Sequence, residues 1–388
     1  MPFLEKSKLS LKKEFITRNA SGDLSMSELC RRYEISRPTG YKWVHRFCDE
    51  GVGGLDEKSR KPHESPARTR PEIESAVLEV RDEHPKWGAR KIKKYLENRG
   101  HCGLPSPSTI TAILGRHGRL DTEGVVGGPW NRFEHEHPMD LLQMDFKGHF
   151  PIRDGRCHPL SLIDDHSRYL LGLEACRNER CETVQERLTE IFRRYGLPDS
   201  INTDNGPPWG SLGAHGQITA LGLWMIRLGI KLSRSREYHP QTNGKVERFH
   251  STLKAEVLQA RSFNNIDECQ ATFDEWRDVY NFERPHQALD LKTPSERFQM
   301  SDRRFPEELP EIEYGPDDEI RKVHDGGIIC FRGTRYRVGR ELKGLPVAVR
   351  RTVDDGEFDV FCIRQRVLHI NLLPPRGETG MALPPSHV

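Results

Sequence analysis

The stretch "DLLQMDFKGHF" at residues 140–150 decides the fold, because it has the pattern of a buried strand with one charge inside it. Asp145 is flanked by apolar residues on both sides. A carboxylate inside a buried strand is costly unless it is paired or holds a cation. Asp145 is therefore a candidate functional residue, and its partners have to come from elsewhere in the chain.

The residues that follow predict a mixed sheet with helices packed on it. "HPLSLIDDHSRYLLGLEA" (158–175) is strand-like and bends at Asp164-Asp165-His166, where aspartate is favoured for backbone reasons. A helix at 181–196, a short strand "DSINTDNG" (199–206), an apolar helix at 218–229 and a strand at 230–235 come next. The order β-β-β-α-β-α-β-α indicates one mixed α/β domain.

Two further carboxylates stand where they can join Asp145. Asp204 ends the fourth strand, and Gly206 permits a sharp exit of the chain there. Neighbouring strands lie about 5 Å apart, so Asp145 and Asp204 share a cleft if the first and fourth strands are adjacent. Glu247 lies in the first turn of a helix whose inward face is predicted to be Val246, Phe249, Leu253 and Val257.

The three carboxylates suit divalent metal chemistry. Hard oxygen ligands of this kind prefer Mg²⁺ or Mn²⁺. Two such ions roughly 3.5–4 Å apart stabilise the entering and leaving oxygens of an in-line phosphoryl displacement. The alternative for Glu247 is purely structural, since acidic residues are favoured in the first turn of any helix.

The N-terminal third is basic and helical. Residues 1–120 hold 24 Lys and Arg against 16 Asp and Glu, although the whole chain has a net charge of only +2. Ser25 and Glu28 have capping-box spacing, and a break at 34–36 leads into "RPTGYKWVHRFCDEG" (37–51). This pattern predicts a helix-turn-helix whose second helix offers Arg37, Thr39 and Lys42 to DNA bases. Its inward side chains are expected to be Tyr41, Val44 and Phe47 or Cys48; a helical bundle without a DNA role is the alternative.

A second helix-turn-helix is predicted between residues 71 and 120, with Ser106 and Pro107 opening its last helix.

The C-terminal part of the sequence predicts short strands, with "DDGE" (354–357) as a hairpin turn. The expected division is a first helix-turn-helix domain (1–53), a linker (54–70), a second such domain (71–120), a linker (121–137), a core (138–300), a linker (301–318) and a small β-barrel (319–375).

Several ordered motifs resemble one family. "QMDFKG" around Asp145, "IDDHSRY" (163–169), "TDNG" around Asp204 and "HPQTNGKVERFHSTLK" (239–254) are similar to the DDE catalytic core of retroviral integrases and bacterial insertion-sequence transposases. "YNFERPHQALDLKTPSERF" (280–298) is similar to the segment that follows this core in the transposases.

The resemblance implies an RNase H-like fold, with Asp145, Asp204 and Glu247 as catalytic ligands of Mg²⁺ or Mn²⁺, two ions in each site. It implies that Lys254 contacts DNA near the reacting phosphate, and we expect Lys245 to contact DNA as well. The interval from Asp204 to Glu247 is longer than is common in the family, and the excess is assigned to a loop at 207–217. No counterpart of the retroviral zinc module is found, so no zinc is expected.

The implied activity is DNA transposition: binding the terminal repeats of a mobile element, cleaving its ends and joining them to target DNA. Joining two ends requires two active sites, so at least a dimer is expected on double-stranded DNA. A non-catalytic DNA-binding regulator and an RNase H-type nuclease without joining are the alternatives. No apolar run is long enough for a membrane span, and nine cysteines without a CxxC pair suggest reduced thiols. A bacterial, cytoplasmic and nucleoid-associated protein is therefore expected.

The basic N-terminal third generates a prediction about recognition. A fragment of residues 1–120 should retard DNA that carries the element's terminal repeat in preference to scrambled DNA, because base contacts specify the sequence whereas phosphate contacts only position the protein. The measurement is a gel-shift titration with both DNAs at one salt concentration. Equal affinity for the two would contradict sequence recognition by this region.

Overall fold

The computed structural model describes residues 7–57, 69–120, 134–204, 206, 208–209, 218–234 and 244–372. Most of the two predicted linkers at 54–70 and 121–137, and most of the predicted loop at 207–217, lie outside these ranges. None of the helices within them is long and apolar enough to cross a membrane.

The first module is a helix-turn-helix and forms a compact unit of its own. It consists of α1 (Lys8–Ser21), α2 (Met26–Arg32), α3 (Arg37–Glu50) and a 3₁₀ turn, Gly51–Leu55. The predicted capping box is confirmed, since the Ser25 hydroxyl accepts from the Glu28 amide while the Glu28 carboxylate accepts from the Ser25 amide. Leu55 is fully buried in this module, so the module extends past the expected boundary at residue 53.

The inward face of α3 differs from the prediction. Tyr41 is 50% exposed, whereas Gly40 is buried. A Cβ atom added to Gly40 would lie 2.6 Å from the Cys30 sulfur and 3.1 Å from the Phe15 ring. The missing side chain lets α3 pack closely on α1 and α2, and this sets the helix rotation. Val44 is only partly buried as a result, and Tyr41 lies on the solvent side.

The second module contains α4 (Pro71–Glu83), α5 (Ala89–Asn98) and α6 (Pro107–Arg116) around a buried Trp87. The Ser106 hydroxyl caps α6 by accepting from the Thr109 amide at 3.3 Å. This module packs on the core, because Tyr95 and Arg99 of α5 donate hydrogen bonds of 3.0 and 3.1 Å to the Glu283 carboxylate. Val279 also packs against its apolar cluster. The second module is therefore fixed to the core of its own chain.

The core is a mixed sheet covered on both faces. Its strands are β1 (Leu141–Phe146), β2 (Phe150–Ile152), β3 (Gly155–Asp164), β4 (Leu170–Cys176), β5 (Ser200–Thr203) and β6 (Lys231–Arg234). The order is β4-β3-β1-β5-β6, with the short β2 pairing the start of β3. β1 is antiparallel to β3 and parallel to β5, so the first and fourth predicted strands are neighbours, as a shared cleft for Asp145 and Asp204 requires.

Two helices cover each face of this sheet. α7 (Cys181–Tyr195) and α8 (Ala220–Arg227) pack on the face of Leu142 and Met144. α9 (Gly244–Leu253) and α10 (Ile266–Asp278) pack on the opposite face, and each continues into a π-helical turn, at Lys254–Leu258 and Val279–Glu283 respectively. The predicted inward face of α9 is confirmed, since Val246, Phe249, Leu253 and Val257 are all buried.

The C-terminal region does not form the expected closed barrel in the residues that the structure describes. β7 (Glu319–Lys322), β10 (Pro346–Arg351), β11 (Glu357–Cys362) and β12 (Gln365–Asn371) form one antiparallel sheet, and β8 (Ile328–Phe331) pairs with β9 (Thr334–Arg337) as a separate hairpin. The predicted turn at 354–357 is confirmed, because it joins the paired strands β10 and β11.

The predicted linker at 301–318 is tied to the core over its first half. Phe305 and Leu309 pack on the core cluster beside α7 and α8. The Arg303 guanidinium donates to the carbonyls of Pro198 at 2.7 Å and Leu228 at 3.0 Å. This segment is therefore part of the core rather than a spacer.

The close approach at Gly40 generates a stability prediction. Gly40→Ala should lower the unfolding free energy of the first module by up to about 2 kcal/mol, because overpacking costs about 1–3 kcal/mol and helix propensity returns about 1 kcal/mol. Amide hydrogen exchange of residues 8–55 in the full chain measures it. Gly53→Ala is the matched control, since an added Cβ there meets no atom within 4 Å. Equal protection in the two variants would refute the packing argument.

Candidate active site

The carboxylates of Asp145 and Asp204 come from adjacent parallel strands. β1 and β5 pair through Gln143 and Asn202, and continuing this register by two residues brings Asp145 opposite Asp204. Neighbouring strands are about 4.8 Å apart, so the two carboxylates lie at the same edge of the sheet. The Asp204 carboxylate accepts from the Gly206 amide at 3.1 Å, which fixes the start of the loop that leaves β5.

The charges of the neighbouring carboxylates act on Asp145. Burial, the neighbouring Asp204 charge and, more weakly, the Glu247 charge raise the pKa of Asp145 to about 7. Burial also raises the pKa of Asp204, and Glu179 adds to that rise. Like charges brought together in a half-buried cleft disfavour full ionisation, and a bound cation reverses that preference.

Glu247 approaches this cleft from the covering helix. It lies in the first turn of α9 and its side chain is exposed. Within the described residues, no three His, Cys, Asp or Glu side chains converge closely enough to enclose a metal ion. Asp145, Asp204 and Glu247 are therefore neighbours that stop short of ligand distance from one common point. Their donor chemistry and the raised pKa of Asp145 fit a divalent cation.

Asp145 is supported from behind by α9 and β3. The His250 Nδ1 atom lies 3.8 Å from the Asp145 carboxylate, and its Nε2 atom lies 2.6 Å from the Ser161 hydroxyl. That hydroxyl donates to the Asp145 carbonyl at 3.0 Å. Burial, aided by Lys147, lowers the pKa of His250 to about 3, so the imidazole is neutral at physiological pH. It contributes packing and hydrogen bonding beside Asp145 without adding a charge.

The bend at Asp164 and Asp165 has the structural role expected for it. Both residues are fully buried. The Asp164 carboxylate accepts from the amides of Met139 and Ser167 at 2.9 and 2.7 Å. The Asp165 carboxylate accepts from Gln143 Nε2 at 2.8 Å and forms an ion pair with Lys245. These bonds connect the bend to β1 and to the start of α9.

Two residues at this edge of the sheet were not assigned from the sequence. Glu179 follows β4 and raises the pKa values of both Asp145 and Asp204, while His158 Nδ1 holds its carboxylate at 2.8 Å. The antiparallel order β1-β3-β4 brings the end of β4 to the same edge of the sheet as the end of β1. A correct prediction of the strand order would therefore have placed Glu179 near Asp145. Trp209 is buried, and its ring stacks on that of Phe146 with the ring centroids 5.6 Å apart, so its side chain has a packing role.

The five predicted DNA-contact residues differ in exposure. Arg37 and Lys42 of the first module are exposed, and Thr39 is half-buried beside its capping partner Ser36. Lys254 is exposed at the start of the π-helical turn. The Lys245 side chain is only 17% exposed and is paired with Asp165, which favours a structural role.

Family models match most of the chain in separate segments. An "Integrase core domain" model matches residues 135–240 and a second model of that description matches residues 228–294. A "Helix-turn-helix domain" model matches residues 11–63 and a "Homeodomain-like domain" model matches residues 39–114. The model "IS481 family transposase, C-terminal domain" matches residues 318–374, which contain the C-terminal sheet.

Similar proteins come from bacterial insertion elements and from retroviruses. The chain is 26% identical over 233 residues to an uncharacterized 31.7 kDa protein of insertion element IS407 from Burkholderia multivorans, covering 58% of this chain and 79% of that protein. It is 29% identical over 174 residues to the Gag-Pol polyprotein of Feline leukemia virus, covering 43% of this chain but only 10% of the polyprotein.

Among solved structures, the integrase catalytic core of HTLV-2 in complex with magnesium aligns with 42% of this chain and 99% of its own, at 18% identity and a TM-score of 0.33. That similarity is too low to support an argument, so the assignment rests on the sequence matches. The segments matched by integrase-core and IS481 transposase models occur in one chain that also aligns with an insertion-element protein. Together these matches indicate an insertion-sequence transposase with an RNase H-like integrase core, a DDE polynucleotidyl transferase.

Proposed function

We propose that the protein binds the terminal repeats of its mobile element, cleaves the DNA at the element ends and joins the resulting 3′-hydroxyls to target DNA. The observation that carries the proposal is the position of Asp145 opposite Asp204 on parallel neighbours, with the Glu247 charge acting on the same carboxylate. Placing a partly buried carboxylate next to other negative charges is energetically costly. Such a group of carboxylates suits cation-dependent phosphoryl transfer.

Asp145, Asp204 and Glu247 are the proposed ligands of Mg²⁺ or Mn²⁺, two ions in each site. When bound, these ions supply positive charge that stabilises the entering and leaving oxygens of the displacement. The protein then needs no nucleophile of its own, because water or a DNA 3′-hydroxyl attacks the phosphorus. Neutral His250 and Ser161 keep Asp145 in place, and exposed Lys254 is available to a DNA phosphate seven residues along the helix from Glu247.

DNA recognition is assigned to the two N-terminal modules. Exposed Arg37 and Lys42 on α3 are proposed to reach base edges in the major groove, with Thr39 beside them. Tyr41 shares the solvent side of α3 and adds an aromatic group to that surface. The exposed arginines Arg335, Arg337 and Arg351 of the C-terminal region suit target DNA or a second subunit, whereas Arg350 is held by Asp318 at 2.6 Å.

The two alternatives are separated by products. A nuclease without strand transfer would release cleaved ends and no joined DNA, and a regulator would bind the ends without cleaving them. The transposase C-terminal domain match at 318–374 favours strand transfer, since a nuclease needs no such domain. An assay with labelled element ends and a supercoiled target plasmid distinguishes all three.

The proposed ligands generate a prediction about cleavage. Asp145→Asn, Asp204→Asn and Glu247→Gln should each lower Mg²⁺-dependent cleavage of element ends by at least about 100-fold, the scale expected for losing one preorganised electrostatic group. End binding and melting temperature should change little. Glu186→Gln is the control, because Glu186 is an exposed acid on α7 outside the cleft. Near-normal cleavage by Glu247→Gln would rule out its assignment.

The requirement for two ends generates a prediction about assembly. Arg37→Ala/Lys42→Ala subunits keep the active site but bind ends poorly, whereas Glu247→Gln subunits bind ends but do not cleave. If a first module delivers an end to another subunit's core, mixtures of the two should cleave although neither variant does alone. The mass of the complex on paired ends should correspond to at least a dimer. One chain for each cleaved pair, with inactive mixtures, would refute this assembly.

A further inference from the structure

The start of α9 is joined to β1 through buried polar groups that the proposed chemistry does not use. Gln143 is only 2% exposed and lies two residues before Asp145, on the same face of β1. Its Nε2 atom donates to the Asp165 carboxylate at 2.8 Å, and its Oε1 atom accepts from the Val246 amide at 3.2 Å. We call Gln143, Asp165, Lys245 and the Val246 amide the Gln143 network.

We propose that the Gln143 network positions Glu247 relative to Asp145 and so sets the affinity of the site for its divalent cation. This inference rests on the proposed function, since it takes Glu247 to be a ligand. Gln143, Asp165 and Lys245 are positioning residues, because none of them is proposed to touch DNA or the cation.

Gln143 fixes the helix start by a bond that the helix cannot make for itself. The first amides of a helix have no partner within the helix, and Val246 lies in the first turn of α9. Its amide is satisfied by a side chain from the strand that carries Asp145. Glu247 is the next residue after Val246, so one hydrogen bond relates the backbones that carry two of the three proposed ligands.

Lys245 fixes the same turn from its other side. Its ammonium group forms an ion pair with the fully buried Asp165 carboxylate and donates to the Asp165 carbonyl at 3.2 Å. The His135 amide donates to the second carboxylate oxygen at 2.9 Å. A movement of α9 that took Lys245 away would leave the Asp165 carboxylate buried without its counter-charge, which is strongly destabilising. The ion pair therefore resists movement of α9.

The geometry makes the position of Glu247 sensitive to this network. A slip of one residue along an α-helix moves a side chain by about 1.5 Å and rotates it by about 100°. Such a slip would turn Glu247 away from the edge of the sheet that carries Asp145 and Asp204. Residues 235–243 are outside the described ranges, and among the described residues Gln143 and Lys245 make polar contacts that restrain the helix start.

Mn²⁺ binding to the full chain without DNA tests the inference, measured by loss of the free-ion electron paramagnetic resonance signal. Gln143→Leu should weaken Mn²⁺ affinity by about 10- to 100-fold, the range found when residues supporting metal ligands are removed. Gln270→Leu is the matched control. Gln270 joins α10 to β4 in the same way, accepting from the Ala175 amide at 2.8 Å and donating to the Leu173 carbonyl at 3.2 Å. It should lower the melting temperature but leave Mn²⁺ affinity within about twofold of wild type.

Lys245 variants give an independent test if Gln143→Leu does not fold. Lys245→Met should weaken Mn²⁺ binding, and Lys245→Arg should restore most of it because the ion pair to Asp165 is retained. Should Lys245→Met bind Mn²⁺ normally but lose affinity for element-end DNA, Lys245 is a DNA contact and its place in the network is overturned.

The controls separate this inference from the function on which it rests. If wild-type protein and Glu247→Gln bind Mn²⁺ equally, Glu247 is not a ligand and the proposed function fails. If Glu247→Gln loses affinity while folded Gln143→Leu binds as wild type does, the site stands and the positioning role is refuted.

Discussion

The repulsion among half-buried carboxylates is the constraint on which the rest of the structure depends. Asp145 is inside a strand, and burial together with the charge of Asp204 raises its pKa to about 7. Without a paired charge or a bound cation, such a site is unfavourable for folding, and the surrounding elements have to supply the stability. The paired strands β1, β3 and β5, the buried helix α9 and the neutral His250 all serve that end. Stability is thus given up at one edge of the sheet and recovered in the apolar layers on its two faces.

The sequence predicted the parts of the fold that follow from local patterns. The inward face of α9 follows from its 3.6-residue period, and the Ser25 cap follows from its spacing to Glu28. The sequence did not predict that β1 and β5 are adjacent, because strand pairing depends on contacts between residues far apart in the chain and no local pattern determines it. Glu179 was missed for that reason, since only the order β1-β3-β4 brings it near Asp145.

The remaining errors have physical causes as well. Tyr41 was predicted to face inward because of its helical spacing to Val44, but the close contact of Gly40 with Cys30 decides the rotation of α3. A closed barrel requires the two edge strands of a sheet to pair with each other. The sequence periodicity of each strand is the same in an open sheet and in a barrel, so it could not distinguish the two. Lys245 resembled a surface cation in sequence, and its partner Asp165 lies 80 positions away.

The bonds from Tyr95 and Arg99 to Glu283 have a consequence for how DNA length is measured. Because they join α5 to the helical extension that packs behind the active-site sheet, DNA bound by the second module would be held in the same frame as the proposed catalytic carboxylates. The number of base pairs between that contact and the scissile phosphate would then be set by the geometry of one folded unit. The first module, which contains α3, is not part of that folded unit, because it forms a compact unit of its own.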